Sequence, residues 1–347
     1  MNSKLLIPFS SPYLGRLKNS IAMSAMTRGF ADANHCCTDE IAAYYTRRAE
    51  DGVALILTEG IIVDPGGDGY CNVPHLYTDK HAESWMRTVK QVQAAGSKIF
   101  AQLWHCGRIS HSDFTGGLVP VSSNDKQAAG INRQNDKPFA VPRALDTEEM
   151  LDICKMYVNS ADKAFQAGFD GVEIHMGHGY LIDQFLDARI NERTDIYGGS
   201  VENRCRLAVE LIDILIRRYG PNKVMVRISP SREMGGLYEW PDLDEMLCYF
   251  IPKIDELGLR LLDVSCANAD YFQTSGKVIR TIRSIWPHFL MGGASLSIEQ
   301  ANQELEEGWI DMITWGRHIL ANPDFVTRAK IGQEWISMTN EMREVLF

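Results

Sequence analysis

Two imidazoles and one phenol follow a single predicted strand within six residues. The segment GVEIHMGHGY begins as a buried-strand pattern at Gly171 and reaches His175, and His178 and Tyr180 follow across a glycine-punctuated turn. Paired imidazoles can ligate a metal ion, or they can donate two hydrogen bonds to a substrate carbonyl oxygen, which makes the far carbon of an enone electrophilic. A tyrosine keeps its proton at neutral pH and can act as a general acid.

The residues alone leave the role of this cluster open. His175 and His178 lack the helical His-x-x-x-His spacing of a familiar metal site, and no third ligand is evident in the sequence. Satisfied core histidines are a further interpretation, although two imidazoles that flank a glycine turn favour a site. A lone tyrosine such as Tyr180 is more often a packing residue than a proton donor.

Two polar side chains lie in strands that are otherwise apolar. Gln102 belongs to the segment KIFAQLW and Arg227 to VMVRISP. A buried guanidinium is costly without a partner, so Arg227 predicts either an internal salt bridge with Glu173 or Asp263, or a planar ligand that becomes negatively charged on reduction. The amide of Gln102 can pair with a neighbouring C=O/N–H edge of such a ligand.

Glycine turns after the last two predicted strands indicate a phosphate site. Gly292 and Gly293 end the seventh strand, and Gly316 and Arg317 follow the eighth. Such turns expose backbone N–H groups, short helices point their positive ends at the same place, and Arg317 supplies a counter-charge. The alternative is that Gly292 and Gly293 only form a tight turn.

The elements that must position these residues alternate between strands and helices. Such alternation implies a parallel sheet, and eight units without a glycine fingerprint after the first strand predict a closed α/β (β/α)8 TIM barrel. We expect one domain spanning residues 1–347, with a loop or small hairpin over the barrel mouth at about residues 104–145, after strand three. The predicted strands are Ile21–Met26, Ala54–Thr58, Lys98–Leu103, Gly171–His175, Lys223–Ile228, Leu261–Ser265, Phe289–Gly292 and Asp311–Trp315.

Composition and charge narrow the class of partner. The net charge of −10 disfavours a polyanionic partner such as nucleic acid. No apolar run approaches the roughly 18 residues of a membrane span. The eight cysteines include no CxxC pair, so we expect reduced thiols and a cytoplasmic protein.

Several motifs, in order along nearly the whole chain, carry a resemblance to a known family. They are AMSAMTR, ILTEG, AQLWHCGR, HMGHGYLIDQFLDARINERTDIYGGSVENRCR, VRISP, MGGASLSIEQA and WGRHILANPDFV. The chain closely resembles the old yellow enzyme family of FMN-dependent ene-reductases, in particular members of the xenobiotic-reductase and N-ethylmaleimide-reductase kind. It departs from the family pattern at Ala25 and Met26, where Pro or Cys is frequent, and His178 stands where many members have asparagine.

The resemblance implies a role for each matching position. His175 and His178 would bind the substrate carbonyl or nitro oxygen, and Tyr180 would protonate the α-carbon. Trp104 and Tyr271 would line the substrate face. The residues expected to contact FMN are Ala25, Met26, Thr27, Gly60, Gln102, Arg227, Gly292, Gly293, Gly316 and Arg317.

The resemblance also implies a reaction sequence. NADH or NADPH would reduce a non-covalently bound FMN and leave, and an α,β-unsaturated carbonyl or nitro compound would take its place, which predicts ping-pong kinetics. Two alternatives remain: a metal-dependent barrel lyase that uses His175 and His178 as ligands, and a flavin barrel that acts on RNA. The sequence does not choose between NADH and NADPH, or between a monomer and a homo-oligomer.

Overall fold

The computed structural model, which describes residues 3–233, 236–267 and 269–347, contains a closed barrel of eight parallel strands. Consecutive strands are neighbours around the barrel, and β8 pairs with β1 to close it. This is the predicted (β/α)8 TIM barrel. The strands are β1 Ile21–Met23, β2 Leu55–Ile62, β3 Lys98–Trp104, β4 Gly171–His175, β5 Val224–Ile228, β6 Leu261–Val264, β7 Phe289–Gly293 and β8 Met312–Trp315.

Helices connect the strands and cover the barrel. Thr38 and Ser200 cap α1 and α5 by accepting hydrogen bonds from Ile41 N and Asn203 N, as their sequence positions predict. The helices are α1 Asp39–Asp51, α2 Asp79–Ala94, α3 Met150–Ala167, α4 Leu181–Leu186, α5 Val201–Tyr219, α6 Leu243–Glu256, α7 Ser275–Arg283, α8 Ile298–Glu306, α9 Arg317–Ala321 and α10 Phe325–Ile331.

A hairpin precedes the barrel and closes its amino-terminal end. The strands Phe9–Ser11 and Gly15–Leu17 pair in antiparallel fashion. Leu14 and Leu17 are buried in one apolar cluster with Ala22, Leu55 and other residues from the starts of the barrel strands. The bottom of the barrel is therefore filled with side chains, and only the carboxyl ends of the strands are left to form a site.

The excursion after β3 contains little regular structure. A short parallel pair joins Val121–Ser122 to Arg143–Ala144, and a small hairpin joins Ile131–Asn132 to Lys137–Pro138. The excursion is joined to a neighbouring loop by the Asn132 side chain, whose Nδ2 donates to Gly69 O at 3.1 Å. Among the described helices, none has the length and apolar character needed to cross a membrane.

Candidate active site

A cavity of about 330 Å³ opens at the carboxyl ends of the barrel strands. Parallel strands deliver their last residues to one edge, so residues far apart in the sequence meet there. Most of the residues singled out in the sequence line this cavity. They are Ala25, Met26, Thr27, Gln102, Trp104, His175, His178, Tyr180, Arg227, Gly293, Gly316 and Arg317.

Three of the selected residues are not part of the cavity wall. Gly60 lies behind Trp104, where an added Cβ would come within 2.3 Å of the indole ring. Gly292 faces α7, since a Cβ there would lie 2.6 Å from Cδ1 of Ile279. Tyr271 is fully buried and its hydroxyl donates to Glu304 Oε2 at 2.6 Å. The expectation that Tyr271 lines the substrate face is wrong, because its ring turns into the core to meet this carboxylate.

Several residues of the cavity wall were not selected from the sequence. Ser265 is the most informative, because it accepts a hydrogen bond from Arg227 Nη2 at 2.7 Å and lies 3.3 Å from His178 Nε2. Its position at the carboxyl end of the sixth strand could have identified it as a site residue from the sequence. The others are Ser24, Cys266, Ala267, Ala294 and Thr314.

His175 and His178 point at each other across the cavity wall. His178 Nδ1 and His175 Nε2 lie 3.2 Å apart. His178 adopts a left-handed backbone conformation with φ of 57°, and its N–H donates to Ser229 Oγ at 2.6 Å, which fixes the turn. One ligand oxygen can therefore contact both imidazole nitrogens.

The hydrogen-bond partners restrict which ring nitrogens carry protons. Gly177 N–H donates to His175 Nδ1 at 3.3 Å, so the His175 proton lies on Nε2. Ser265 can either accept from or donate to His178 Nε2; when it donates, the His178 proton lies on Nδ1. Burial, and then the positive charge of Arg227, hold the pKa of His175 well below its usual range. Burial, and then His175, lower the pKa of His178 in the same way, so both rings are neutral at neutral pH.

Arg227 belongs to a buried polar layer beneath the imidazoles. Its Nε lies 3.4 Å from Asp263 Oδ2, which is the internal ion pair considered as one of the two interpretations of this residue. Gln102 Nε2 donates to Glu173 Oε2 at 2.6 Å. Burial, and then the nearby Asp263 carboxyl, raise the pKa of Glu173. The Arg227 guanidinium therefore lies beside carboxyl groups whose pKa values are raised by burial.

Tyr180 lies next to His175 against an aromatic wall. Its ring is perpendicular to those of His175 and Trp104, with ring centroids 5.1 Å and 4.8 Å apart. Its hydroxyl lies 2.8 Å from the hydroxyl of Tyr70. Burial, and then Tyr70, raise the pKa of Tyr180 well above its usual value, so the hydroxyl is protonated at neutral pH. Tyr70 was not selected from the sequence.

The opposite end of the cavity has a glycine-lined wall. Gly293 has φ of 147°, and a Cβ there would lie 2.4 Å from Thr314 O. A Cβ on Gly316 would lie 2.9 Å from Met26 Sδ. Gly293 excludes any side chain because it meets backbone, Gly316 packs closely against the Met26 side chain, and Arg317 lines the cavity beside them. The wall thus leaves backbone and a guanidinium within reach of an anion.

Comparison with known proteins decides the family. The sequence pattern of the NADH:flavin oxidoreductase / NADH oxidase family matches residues 9–335. The chain belongs to this family. It is therefore an FMN-dependent oxidoreductase with a nicotinamide cofactor as reductant.

Several relatives of this flavin oxidoreductase are similar over nearly its whole length. It is 34% identical over 324 residues to a probable flavin mononucleotide-dependent alkene reductase of Leishmania infantum, covering 91% of this chain and 87% of the relative. It is 32% identical over 333 residues to 12-oxophytodienoate reductase 1 of Oryza sativa subsp. japonica, covering 94% and 86%.

Solved structures of the same kind superpose closely. The old yellow enzyme homologue from Zymomonas mobilis matches with a TM-score of 0.91 and 32% identity, covering 98% of this chain and 96% of that one. Morphinone reductase matches with a TM-score of 0.89 and 29% identity, covering 99% and 93%.

The residues of this oxidoreductase fit an FMN in the cavity. Arg227 lines the cavity, and its buried Nε, although 3.4 Å from Asp263 Oδ2, makes no hydrogen bond among the described residues. Gln102 presents its amide to the same cavity, and the side-chain-free positions Gly293 and Gly316 lie at the other end beside Arg317. An elongated ligand with a planar, hydrogen-bonding head and an anionic tail matches this distribution of groups.

The cavity histidines do not form a metal-binding group. Across the described ranges, three potential ligand atoms come within 4.8 Å of one another only at His35, Asp68 and His75. That group is already hydrogen-bonded, since His75 Nε2 lies 2.8 Å from Asp68 Oδ2. His175 and His178 have no third ligand there, so the ligand set of a metal-dependent lyase is not assembled among these residues.

Proposed function

We propose that this oxidoreductase is an ene-reductase acting on α,β-unsaturated carbonyl or nitro compounds. One observation carries the proposal: His175 Nε2 and His178 Nδ1 converge 3.2 Å apart in the cavity, directly beside the hydroxyl-bearing ring of Tyr180. Two neutral donors next to a protonated phenol are the groups that reduction of an activated double bond needs. The alkene-reductase name of the Leishmania relative supports the same substrate class.

His175 and His178 bind the carbonyl or nitro oxygen of the substrate. With Ser265 donating to Nε2 of His178, both facing N–H groups are directed at one oxygen and stabilise the negative charge that develops on it. This charge withdrawal makes the β-carbon electrophilic. Because both rings are neutral, they polarise the oxygen without transferring their protons at neutral pH.

Tyr180 protonates the α-carbon. Its hydroxyl is protonated, its ring is held by Trp104 and His175, and it lines the same cavity as the two histidines. Trp104 also lines the substrate face and excludes water from the reacting carbons.

The remaining cavity residues hold the cofactor. FMN, when bound, supplies the hydride that the β-carbon accepts. We place its pyrimidine edge at Gln102 and Arg227, where the guanidinium stabilises negative charge, and its phosphate at Gly293, Gly316 and Arg317. Ala25, Met26 and Thr27, which follow β1, complete the cavity wall.

The proposal includes the wider setting of the reaction. NADH or NADPH and the substrate use the same cavity in turn, which gives ping-pong kinetics. The eight free thiols fit a reducing compartment, and we propose the cytoplasm. The net charge of −10 favours small-molecule substrates over RNA.

A visible absorption spectrum with anaerobic titration tests the function. The purified protein, reconstituted with FMN, should be yellow, lose its colour with NADH or NADPH, and regain it with 2-cyclohexenone. Tyr180→Phe should bleach normally and recolour slowly with the enone. A reconstituted protein that bleaches but is never reoxidised by enones or nitroalkenes contradicts the substrate class; one that binds no FMN contradicts the assignment of the cavity.

A further inference from the structure

The hydroxyls of Tyr180 and Tyr70 connect two adjacent cavities, whose walls share Met26, Thr27 and Arg317. Tyr180 lines the active-site cavity, and Tyr70 lines a second cavity of about 830 Å³. Their oxygens lie 2.8 Å apart, although the residues are 110 positions apart in the sequence. In the described part of the chain, Tyr70 provides the one hydrogen-bond partner of the Tyr180 hydroxyl.

The second cavity communicates with solvent. Its wall includes Cys71, Gln134 and Arg343, all of which are exposed, whereas Tyr180 is only 8% exposed. Arg28 and Arg343 give the wall a polar, cationic character that favours water. Tyr70 therefore lies between a buried donor and a cavity whose wall includes exposed residues.

Tyr70 is held firmly in this position. Its ring packs against Trp104 with ring centroids 4.9 Å apart, and its backbone N–H donates to Asp68 Oδ1 at 3.1 Å. Asp68 is itself buried and hydrogen-bonded to His75, so the loop that carries Tyr70 is anchored at Asp68. The position of the hydroxyl pair is thus set by ring packing and by hydrogen bonds of the loop that carries Tyr70.

The proposed reaction requires that Tyr180 be reprotonated in every catalytic cycle. Every reduced double bond removes one proton from Tyr180, and a buried phenolate is strongly disfavoured. The proton must return before the next turnover. His175 and His178 are neutral hydrogen-bond donors that bind substrate, so they are not the source of the proton that returns to Tyr180.

We propose that Tyr70 returns a proton to Tyr180 from solvent in the second cavity after each turnover; this inference rests on the proposed ene-reductase function. The O–H bond of Tyr70 breaks as the new O–H bond of Tyr180 forms. The Tyr70 phenolate then takes a proton from water in the second cavity, and the hydroxide left behind is neutralised by buffer. No electrons are exchanged in these steps, and Tyr70 does not touch the substrate.

Tyr70→Phe in the FMN-loaded enzyme tests the relay, because it removes one oxygen and keeps the ring on Trp104. A single turnover of prereduced enzyme with 2-cyclohexenone uses the proton already on Tyr180, so its rate should stay within about threefold of wild type. Steady-state enone turnover should fall at least about tenfold, since each later cycle waits for reprotonation. Ferricyanide takes only electrons, so steady-state turnover with it should be unchanged.

The time course and a matched control separate a relay from a structural role. Tyr70→Phe should show a burst of one product per active site, with an ultraviolet phenolate signal that outlasts flavin reoxidation. Tyr13→Phe, which removes a hydroxyl bonded to His288 at the other end of the barrel, should show neither. Added to Tyr180→Phe, the Tyr70 change should cost nothing further.

Other results would overturn the inference. Equal slowing of single and steady-state turnover means that Tyr70 only positions Tyr180, and no slowing of either means that the proton returns by another path. If Tyr70→Phe fails to fold, a proton inventory of wild-type steady-state turnover decides: a curved dependence on deuterium content indicates two protons in flight, and a linear one refutes the relay. Wild-type enzyme that bleaches with NAD(P)H but ignores enones refutes the ene-reductase proposal itself.

Discussion

Gly60→Ala should displace Trp104 and thereby disturb the active site. Gly60 lies in β2 at a bulge, where the register with β3 shifts between Leu57 and Gly60. A Cβ at this position would lie 2.3 Å from Trp104 Cε3 and 2.8 Å from Cδ2, both in the rigid ring. The backbone conformation itself accepts alanine, so the effect comes from the contact with Trp104 alone.

The size of the effect follows from how far Trp104 must move. An ordinary carbon–carbon contact is about 3.5 Å, so the indole must retreat by about 1 Å. Trp104 is 1% exposed and packed between Tyr70 and Tyr180, so they must move with it. Overpacking of this kind costs about 1–3 kcal/mol. With an unfolding entropy of about 0.7 kcal/mol per kelvin for a chain of this size, the thermal midpoint should fall by about 1–4 °C.

Activity should suffer more than stability. Displacement of catalytic groups by about 1 Å costs up to about 100-fold in rate, so enone turnover should fall by at least about tenfold. Ferricyanide turnover should change little because it does not use Tyr180. The assays are a thermal melt of the FMN-loaded enzyme and steady-state kinetics with both acceptors.

A control variant and a double variant test whether the contact with Trp104 causes the effect. Gly66→Ala is the control, since its Cβ would meet only Asp64 Oδ1 at 3.2 Å and Leu118 Cδ1 at 3.9 Å, and it should change enone turnover little. In a Trp104→Leu background, Gly60→Ala should cost clearly less stability than in wild type. If Gly60→Ala keeps wild-type stability and enone turnover, the contact with the indole does not exclude alanine. The same conclusion follows if Gly60→Ala lowers the stability of the Trp104→Leu variant as much as it lowers that of wild type.

Three further changes probe other parts of the structure. His178→Ala should lower kcat/KM for enones by about 100-fold or more through loss of an oxygen-binding donor, whereas His178→Asn keeps a donor and should retain most activity; equal losses would contradict the donor role. Burial raises the pKa of Glu59 from 4.5 to about 7, so the folded state holds this proton more tightly and its stabilising contribution is lost as pH rises through about 7. Glu59→Gln should therefore remove a decline of about 3 kcal/mol in unfolding free energy between pH 4.5 and pH 8, measured by urea titration at several pH values; an unchanged slope would place the titration elsewhere. Tyr271→Phe should leave enone kinetics unchanged and destabilise the fold by about 1–3 kcal/mol, because buried Glu304 Oε2 loses the 2.6 Å hydrogen bond from the phenol and keeps only Arg280; altered substrate KM would restore Tyr271 to the substrate face.

Local sequence patterns were sufficient to predict the barrel architecture. Strand β4 has its predicted bounds, and Thr38 and Ser200, whose residue types favour helix N-caps, cap α1 and α5. These features depend on residues within one turn or one strand of each other. Because a parallel barrel gathers the carboxyl ends of its strands, the side chains after those ends could be assigned to one site before any distance was known.

Details of individual strands were harder to predict. Strand β2 runs from Leu55 to Ile62, beyond the predicted Thr58, because a bulge lets it continue to pair with β3. Whether Gly60 faces a ligand or an indole depends on that register, which is a property of the strand pair. The resemblance implied that Gly60 contacts FMN, whereas the structure places the Trp104 indole against it.

The sequence by itself determined the barrel, the end at which the site lies and most of the groups in its wall, since periodicity, caps and motifs are local. Only the tertiary structure decided which atoms meet. It turned Tyr271 towards Glu304, linked Ser265 to His178, and joined the hydroxyls of Tyr70 and Tyr180. The physical reason is that side-chain direction and hydrogen-bond partners are set by packing between segments that are distant in the chain, and one sequence read in order does not contain those distances.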